Sequence, residues 1–240
     1  MQQLKEKLVS WIREQVDAAG ARGVVVGISG GIDSSVAIVL GKLAFPDTTL
    51  GLIMPCYSIQ KDMDHACAVA NKFKIPTRIV NLDSAFDELC RSLSGNTFET
   101  EESMRAEANL KPRIRMTTLY YFASQLNYVV MGSSNRCELQ MGYFTKYGDG
   151  GIDILPLGNL VKSQVCDMAR HLGIPKEIID KPPSAGLWEG QTDEQDMGLT
   201  YKDIDRYLTT GEASVEVKKR IEERIALNAH KKNVPPISPF

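Results

Sequence analysis

A run of small and polar residues, Ser29-Gly30-Gly31-Ile32-Asp33-Ser34-Ser35, follows a short apolar stretch and opens a helical pattern. Adjacent glycines let a backbone turn tightly and approach a ligand closely. Successive N–H groups in such a turn, backed by a helix N-terminus, bind anions, and the hydroxyls of Ser29, Ser34 and Ser35 add donors. Asp33 would repel a phosphate that came alone. It makes sense as a ligand for Mg2+, which takes carboxylate and phosphate oxygens together. The run does not end in Gly-Lys-Ser/Thr, so it is not a Walker A loop, and adjacent glycines do not make Gly-x-Gly-x-x-Gly. The plainer alternative is a tight strand-to-helix turn with Ser and Asp as helix caps.

Further candidates lie downstream. Arg113 and Arg115 offer fork-shaped donors for phosphate or carboxylate, and their i,i+2 spacing on a helix points them at different partners. Either is otherwise a surface charge. Glu138, just past a strand, is placed to share Mg2+ with Asp33; its alternative role is a first-turn helix acid. Lys162 begins a helix, where a cation is locally unfavourable, a cost that points to another role. His65 and His171 sit on helical segments as ordinary residues, and the three histidines make no metal cluster.

The elements that must position these residues alternate. An amphipathic helix opens the chain, with Leu4, Leu8, Trp11, Ile12 and Val16 at helical spacing. Strands are expected over Gly23–Ile28, Thr49–Met54, Arg78–Leu82 and Tyr128–Met131, the first a continuous apolar run typical of a strand buried on both faces. Helices are expected over 33–43, 61–73 and 84–93. Another long helical stretch covers Asn96–Gln125, broken near Lys111-Pro112 because proline disfavours helix in the residue before it. This order predicts a doubly wound α/β fold, a mainly parallel sheet with helices on both faces, and a ligand site outside the carboxyl ends of the strands. Residues 132–160 and 181–196 read as long, polar, functional loops. Helices are expected over 161–172, 203–208 and 215–227, with an irregular tail after His230.

Composition bounds the rest. The 240 residues are 43% hydrophobic and 24% charged with net charge −2, so no global charge argues for nucleic acid or an anionic membrane. The start lacks a signal peptide's apolar core, and no apolar run is long enough to span a bilayer. Five cysteines, an odd number with no Cys-x-x-Cys, argue against a disulfide framework or thiolate zinc site and for a reducing cytoplasm. One domain over residues 1–240 is expected.

The 29–34 loop resembles the SGGxDS loop of the N-type ATP pyrophosphatases, which cleave ATP between its α- and β-phosphates and activate a substrate oxygen as an adenylate. Three later segments narrow the choice: Asn109-Leu110-Lys111-Pro112-Arg113-Ile114-Arg115-Met116; Gly132-Ser133-Ser134-Asn135-Arg136-Cys137-Glu138 with Gly142-Tyr143-Phe144-Thr145-Lys146-Tyr147-Gly148-Asp149-Gly150-Gly151-Ile152-Asp153; and Lys181-Pro182-Pro183-Ser184-Ala185-Gly186-Leu187-Trp188 with Gln191-Thr192-Asp193-Glu194. All three resemble NAD synthetases, in the same order and across nearly the whole chain. The resemblance implies an adenine nucleotide alpha hydrolase-like fold. It implies ATP-dependent amidation of deamido-NAD with ammonia to NAD, AMP and pyrophosphate, the last step of NAD biosynthesis.

Residue by residue, it implies ATP contacts at Gly27, Ser29, Gly30, Gly31, Ile32, Asp33, Ser34, Ser35, Ser133, Lys162 and Ser184. It implies deamido-NAD contacts at Arg113, Lys146, Asp153, His230 and Lys231, and Mg2+ on Asp33 and Glu138. Asp33, Asp153 and Lys162 are the expected catalytic groups, with Asp153 orienting or deprotonating the ammonium. The family's glutaminase domain is absent from these 240 residues, so free ammonia is the expected nitrogen donor unless a separate glutaminase subunit docks. A homodimer is implied, with the dinucleotide near the subunit boundary and the N-terminal helix as one candidate face. Two rivals stay open: a tRNA-thiolating pyrophosphatase, disfavoured by the missing Cys-x-x-Cys and near-neutral charge, and a non-catalytic nucleotide sensor, which would need the loop but not Glu138, Lys146 and Asp153 together.

Overall fold

The computed structural model describes residues 1–94, 100–188 and 190–240. Four parallel strands, β1 (Val24–Gly27), β2 (Thr49–Ile53), β3 (Thr77–Ile79) and β4 (Val129–Val130), form one sheet in the order β3-β2-β1-β4. Val24 pairs with Thr49 on one side and Val129 on the other, so β1 lies inside the sheet, and Met131 bridges to Ile154 beyond β4. Successive strand residues point to opposite faces. Val24, Val26 and Ile28 meet α1 (Gln2–Ala18), α2 (Ile32–Ala44), α3 (Gln60–Lys72) and α8 (Lys162–Leu172). Val25 and Leu52 meet α4 (Asp83–Ser94) and α6 (Leu110–Leu126) on the other face. The doubly wound parallel arrangement is therefore present.

The two coverings differ. On α1, Ile12 and Val16 are fully buried, and Leu4, Leu8 and Trp11 are half-buried against the same core. On α4, no described side chain is buried although Phe86, Leu89 and Leu93 fall on one stripe, and β3 at the sheet edge is exposed throughout.

Several sequence boundaries shift. The helical stretch predicted from Asn96 begins outside the described residues; α5 (Glu101–Ala108) and α6 then divide at Asn109, not at Lys111-Pro112. Pro112 is the third residue of α6, where its missing N–H has no helical acceptor to lose. Residues 132–160 are not only loop. They include α7 (Arg136–Met141), and Met141, Ile154 and Leu157 are buried. The 181–196 stretch likewise ends in α10 (Asp193–Met197), and α9 (Lys176–Ile179) precedes it. Polar composition hid these short helices because they are held by the fold and not by their own periodicity. With α11 (Tyr201–Thr210) and α12 (Val215–Asn228), α7 and α10 share a separate apolar cluster around Cys137, Met141, Met197, Ile204 and Ile221. This cluster forms a wall beside the carboxyl ends of the strands.

Candidate active site

A cleft of about 820 Å3 opens along the carboxyl ends of β1, β2 and β4. The 29–34 loop forms its floor. Gly30 has φ +77, and a Cβ there would lie 2.1 Å from the Asp62 carbonyl oxygen, so only glycine lets α3 pack on the loop. The serines shape the turn: Ser34 Oγ and Ser35 Oγ both donate to the Gly31 carbonyl, at 3.0 and 2.7 Å, and Ser29 N–H donates to Ser34 Oγ at 3.2 Å. Among the described residues no side chain caps α2, whose N-cap is Gly31. The first-turn N–H groups of a thirteen-residue helix thus face the cleft without an internal acceptor, the arrangement that binds phosphate. The capping alternative fails for this loop.

Above the loop, Lys162 is 5% exposed and forms an ion pair with Asp33, with Glu138 Oε1 3.7 Å away. Burial alone would lower the Lys162 pKa, but the two carboxylates hold it above its ordinary value. Glu138 is pushed up, chiefly by burial and then by Asp33. The first-turn role considered for Glu138 is present, and one of its oxygens is left for the cleft. Its Oε2 accepts the Asn135 N–H at 3.1 Å in a capping box, while Oε1 turns toward Lys162. Asn135, fully buried, closes the unit: Oδ1 accepts the N–H groups of Cys137 and Glu138, and Nδ2 donates to Asp33 Oδ1 at 2.9 Å.

The cost of a lysine at the start of α8 is met from another helix. Asp205 on α11 accepts the N–H groups of Lys162 and Ser163 at 3.1 and 2.8 Å and so caps α8. The Tyr201 ring lies 4.8 Å from Lys162 Nζ. Arg115 turns inward: Nε donates to the Met54 carbonyl at 3.1 Å and Nη2 to Ser58 Oγ at 3.3 Å, beside the carboxyl end of β2. Across the mouth, Lys181 pairs with Asp62 and Lys111 Nζ donates to the Leu187 carbonyl at 3.0 Å, tying the 181–187 segment to α3 and α6.

The NAD synthase family model matches residues 4–235. The chain belongs to that family. It is 53% identical over 97% of its length to an NH(3)-dependent NAD(+) synthetase of Carboxydothermus hydrogenoformans, of which the match covers 95%. Among solved structures it is similar to an NMN synthetase from Francisella tularensis (TM-score 0.94, 38% identity, 100% of this chain and 98% of that one). It is also similar to the NH3-dependent NAD synthetase from Campylobacter jejuni (TM-score 0.80, 28% identity, 99% and 98%).

Against this NAD synthase frame, the residues named from sequence fall into three groups. Gly27, Ser29, Gly31, Ile32, Asp33, Ser34, Ser133, Glu138, Lys162, Ser184 and Lys231 line the one cleft. Gly30 and Ser35 support the loop from behind. Arg113, Lys146, Asp153 and His230 do not line it. Arg113 Nη2 points to the Lys146 carbonyl at 3.5 Å, and Lys146 Nζ donates to the His230 carbonyl at 2.7 Å. Lys231 Nζ donates to the carbonyls of Gly142 and Phe144 at 2.7 and 3.1 Å. Asp153 accepts the Tyr120 hydroxyl at 2.8 Å and the Val130 N–H at 2.7 Å, so both its oxygens are already engaged on the sheet's edge.

Sequence reasoning missed Asn135, Asp193, Tyr201 and Asp205. Asn135 was findable, since Asn three residues before Glu is a capping-box spacing. The other three carry no local signal, because their partners lie on distant segments.

Proposed function

We propose that this cleft amidates deamido-NAD with ammonia in two steps at the expense of ATP. The uncapped N-terminus of α2 beside the Asp33–Lys162–Glu138 group carries this reading. The loop N–H groups and Ser29 grip the β- and γ-phosphates, and Lys162 adds an ammonium at the same end. These groups stabilise the departing pyrophosphate as the pyridine carboxylate takes the α-phosphorus. The chemistry is positioning and electrostatics. Ammonia then displaces AMP from the adenylated carbonyl.

Asp33 and Glu138 would hold Mg2+. Two carboxylates with a single lysine between them leave surplus negative charge, and a carboxylate pair completed by phosphate oxygens and water suits magnesium. When bound, the ion neutralises charge on the leaving phosphates. Among the described residues no group of three His, Cys, Asp or Glu forms a closed metal cage, which fits an ion brought in with ATP.

The dinucleotide contacts at Arg113, Lys146, Asp153 and His230 belong near a second copy of the chain. Arg113, Thr117 and Tyr121 share one exposed stripe of α6, and Tyr121, Leu89 and Leu93 stay exposed on the same sheet face. That face, rather than α1, is the proposed homodimer surface. Leu89→Glu with Leu93→Glu is expected to turn a dimer into a monomer by light scattering; an unchanged dimer would move the interface elsewhere. The proposed compartment is a reducing cytoplasm, in keeping with five cysteines among which the described residues form no disulfide. Among the described residues no helix is long and apolar enough to cross a membrane.

The likeness to an NMN synthetase supports one second reading, amidation of the mononucleotide acid. Pyrophosphate release with ATP, Mg2+ and ammonium, measured with deamido-NAD and with nicotinate mononucleotide, tests both. A kcat/KM at least tenfold higher for deamido-NAD is expected; the reverse preference would establish the second reading, and no release with either would end both. Glutamine without a partner subunit is expected not to replace ammonia.

A further inference from the structure

Asp193, at the start of α10, is 4% exposed and lines the cleft, yet among the described residues its buried Oδ1 meets no hydrogen-bond partner. A buried carboxylate oxygen with no donor is costly, and native proteins keep such an atom for a ligand or a role. The surrounding groups define what that ligand must be. Asp193 Oδ2 already accepts the Tyr201 hydroxyl at 2.8 Å, which consumes that hydroxyl's one proton. Tyr143 is a hydrogen-bond neighbour of both Asp193 and Asp196, and its one proton goes to Asp196 at 2.9 Å. Lys162 is committed to Asp33 and Glu138. Among the described residues no donor is left for Oδ1, and the tyrosine oxygens beside it, which give their protons to Asp193 Oδ2 and Asp196, offer it only lone pairs. The missing partner is a small cation that only donates.

Within the amidation reading, on which this inference rests, one substrate has that chemistry. ATP and deamido-NAD are anions, whereas ammonium is a compact cation with four N–H donors. We infer that Asp193 is the ammonium-binding residue, with the oxygens of Tyr143 and Tyr201 completing the subsite. Its place suits the task. The Asp193 N–H donates to the Pro183 carbonyl at 3.0 Å, next to Ser184, and Tyr201 O lies 3.3 Å from Glu138 Oε1. An ion held there waits beside the phosphate end, where the adenylated carbonyl forms, and Asp153 on the sheet's edge is not needed to capture it.

The test compares a cationic with a neutral nitrogen donor in the complete protein with ATP, Mg2+ and deamido-NAD. Asp193→Asn is expected to raise KM for ammonium about ten- to a hundredfold, the range for losing a charged hydrogen bond. Turnover with hydroxylamine, which is neutral at pH 8 and forms the hydroxamate, is expected to fall far less. A KM for ammonium within twofold of the parent, or equal losses with both donors, overturns the inference. In the unmutated protein, rubidium is expected to compete with ammonium and to give an anomalous peak against Asp193 Oδ1 in a soaked crystal. A peak elsewhere, with none at Asp193, overturns it without relying on the variant's folding. Were the unmutated protein to show no pyrophosphate exchange with deamido-NAD, the parent reading would fall as well; normal exchange with an unchanged ammonium KM in the variant sinks only this inference.

Discussion

The phosphate end of the cleft and the C-terminal tail beside it are built differently. At the phosphate end, Asp33, Asn135, Glu138 and Lys162 come from three segments and are almost wholly buried, each held by at least one of the others. At the tail end, Lys146, His230 and Lys231 join the 142–146 segment to the C-terminus through lysine-to-carbonyl bonds, mostly near solvent. The first end resembles a preorganised electrostatic site, in which charges are fixed before substrate arrives and need no rearrangement during reaction. The second is a clasp. Its cations are spent on neutral carbonyls, weak competitors that an arriving phosphate or carboxylate can replace.

This contrast orders the expected effects of mutation. Lys162→Met would be the most damaging. Asp33 and Glu138 would face each other without their buried counter-charge, and breaking such a group costs about 3–5 kcal/mol of stability. Pyrophosphate exchange should fall about 10²- to 10³-fold, the scale for losing one preorganised charge-stabilising group. A tenfold smaller loss would mean that the phosphate end is less preorganised than its burial suggests. Lys231→Met should act on binding instead: KM for deamido-NAD rises about tenfold with kcat little changed. The tail should also be cut faster in limited proteolysis. If kcat falls as much as for Lys162→Met, the clasp belongs to the reacting centre and the contrast fails. Asp205→Ala is the mildest. It removes the cap of α8 without touching the cleft, so urea unfolding should show a loss of about 1–2 kcal/mol and turnover should drop only a few-fold. An unchanged unfolding curve would remove Asp205 as the anchor of Lys162.

Legibility from sequence follows the same division. The 29–34 loop was readable because its chemistry is local: the glycines, serines and helix start that make an anion site are consecutive. Glu138 was readable as a carboxylate after a strand, and Lys162 as a lysine where its own helix disfavours one. The short helices α7 and α10 were not readable, since neither is long enough to show a period and both depend on burial against α11 and α12. The tail cations were named, but their present partners could not be, because a carbonyl acceptor leaves no mark in side-chain identity.

The sequence by itself determined the parallel α/β order and the glycine-serine turn between β1 and α2, since each depends on neighbouring residues or on apolar period. Only the tertiary structure decided that Asp205 caps α8, that Asp193 keeps a bare oxygen in the wall and that Asp153 is engaged on the sheet's edge. Those are matters of which donors meet which acceptors across distant segments, and the balance is settled only when the chain has folded and excluded water.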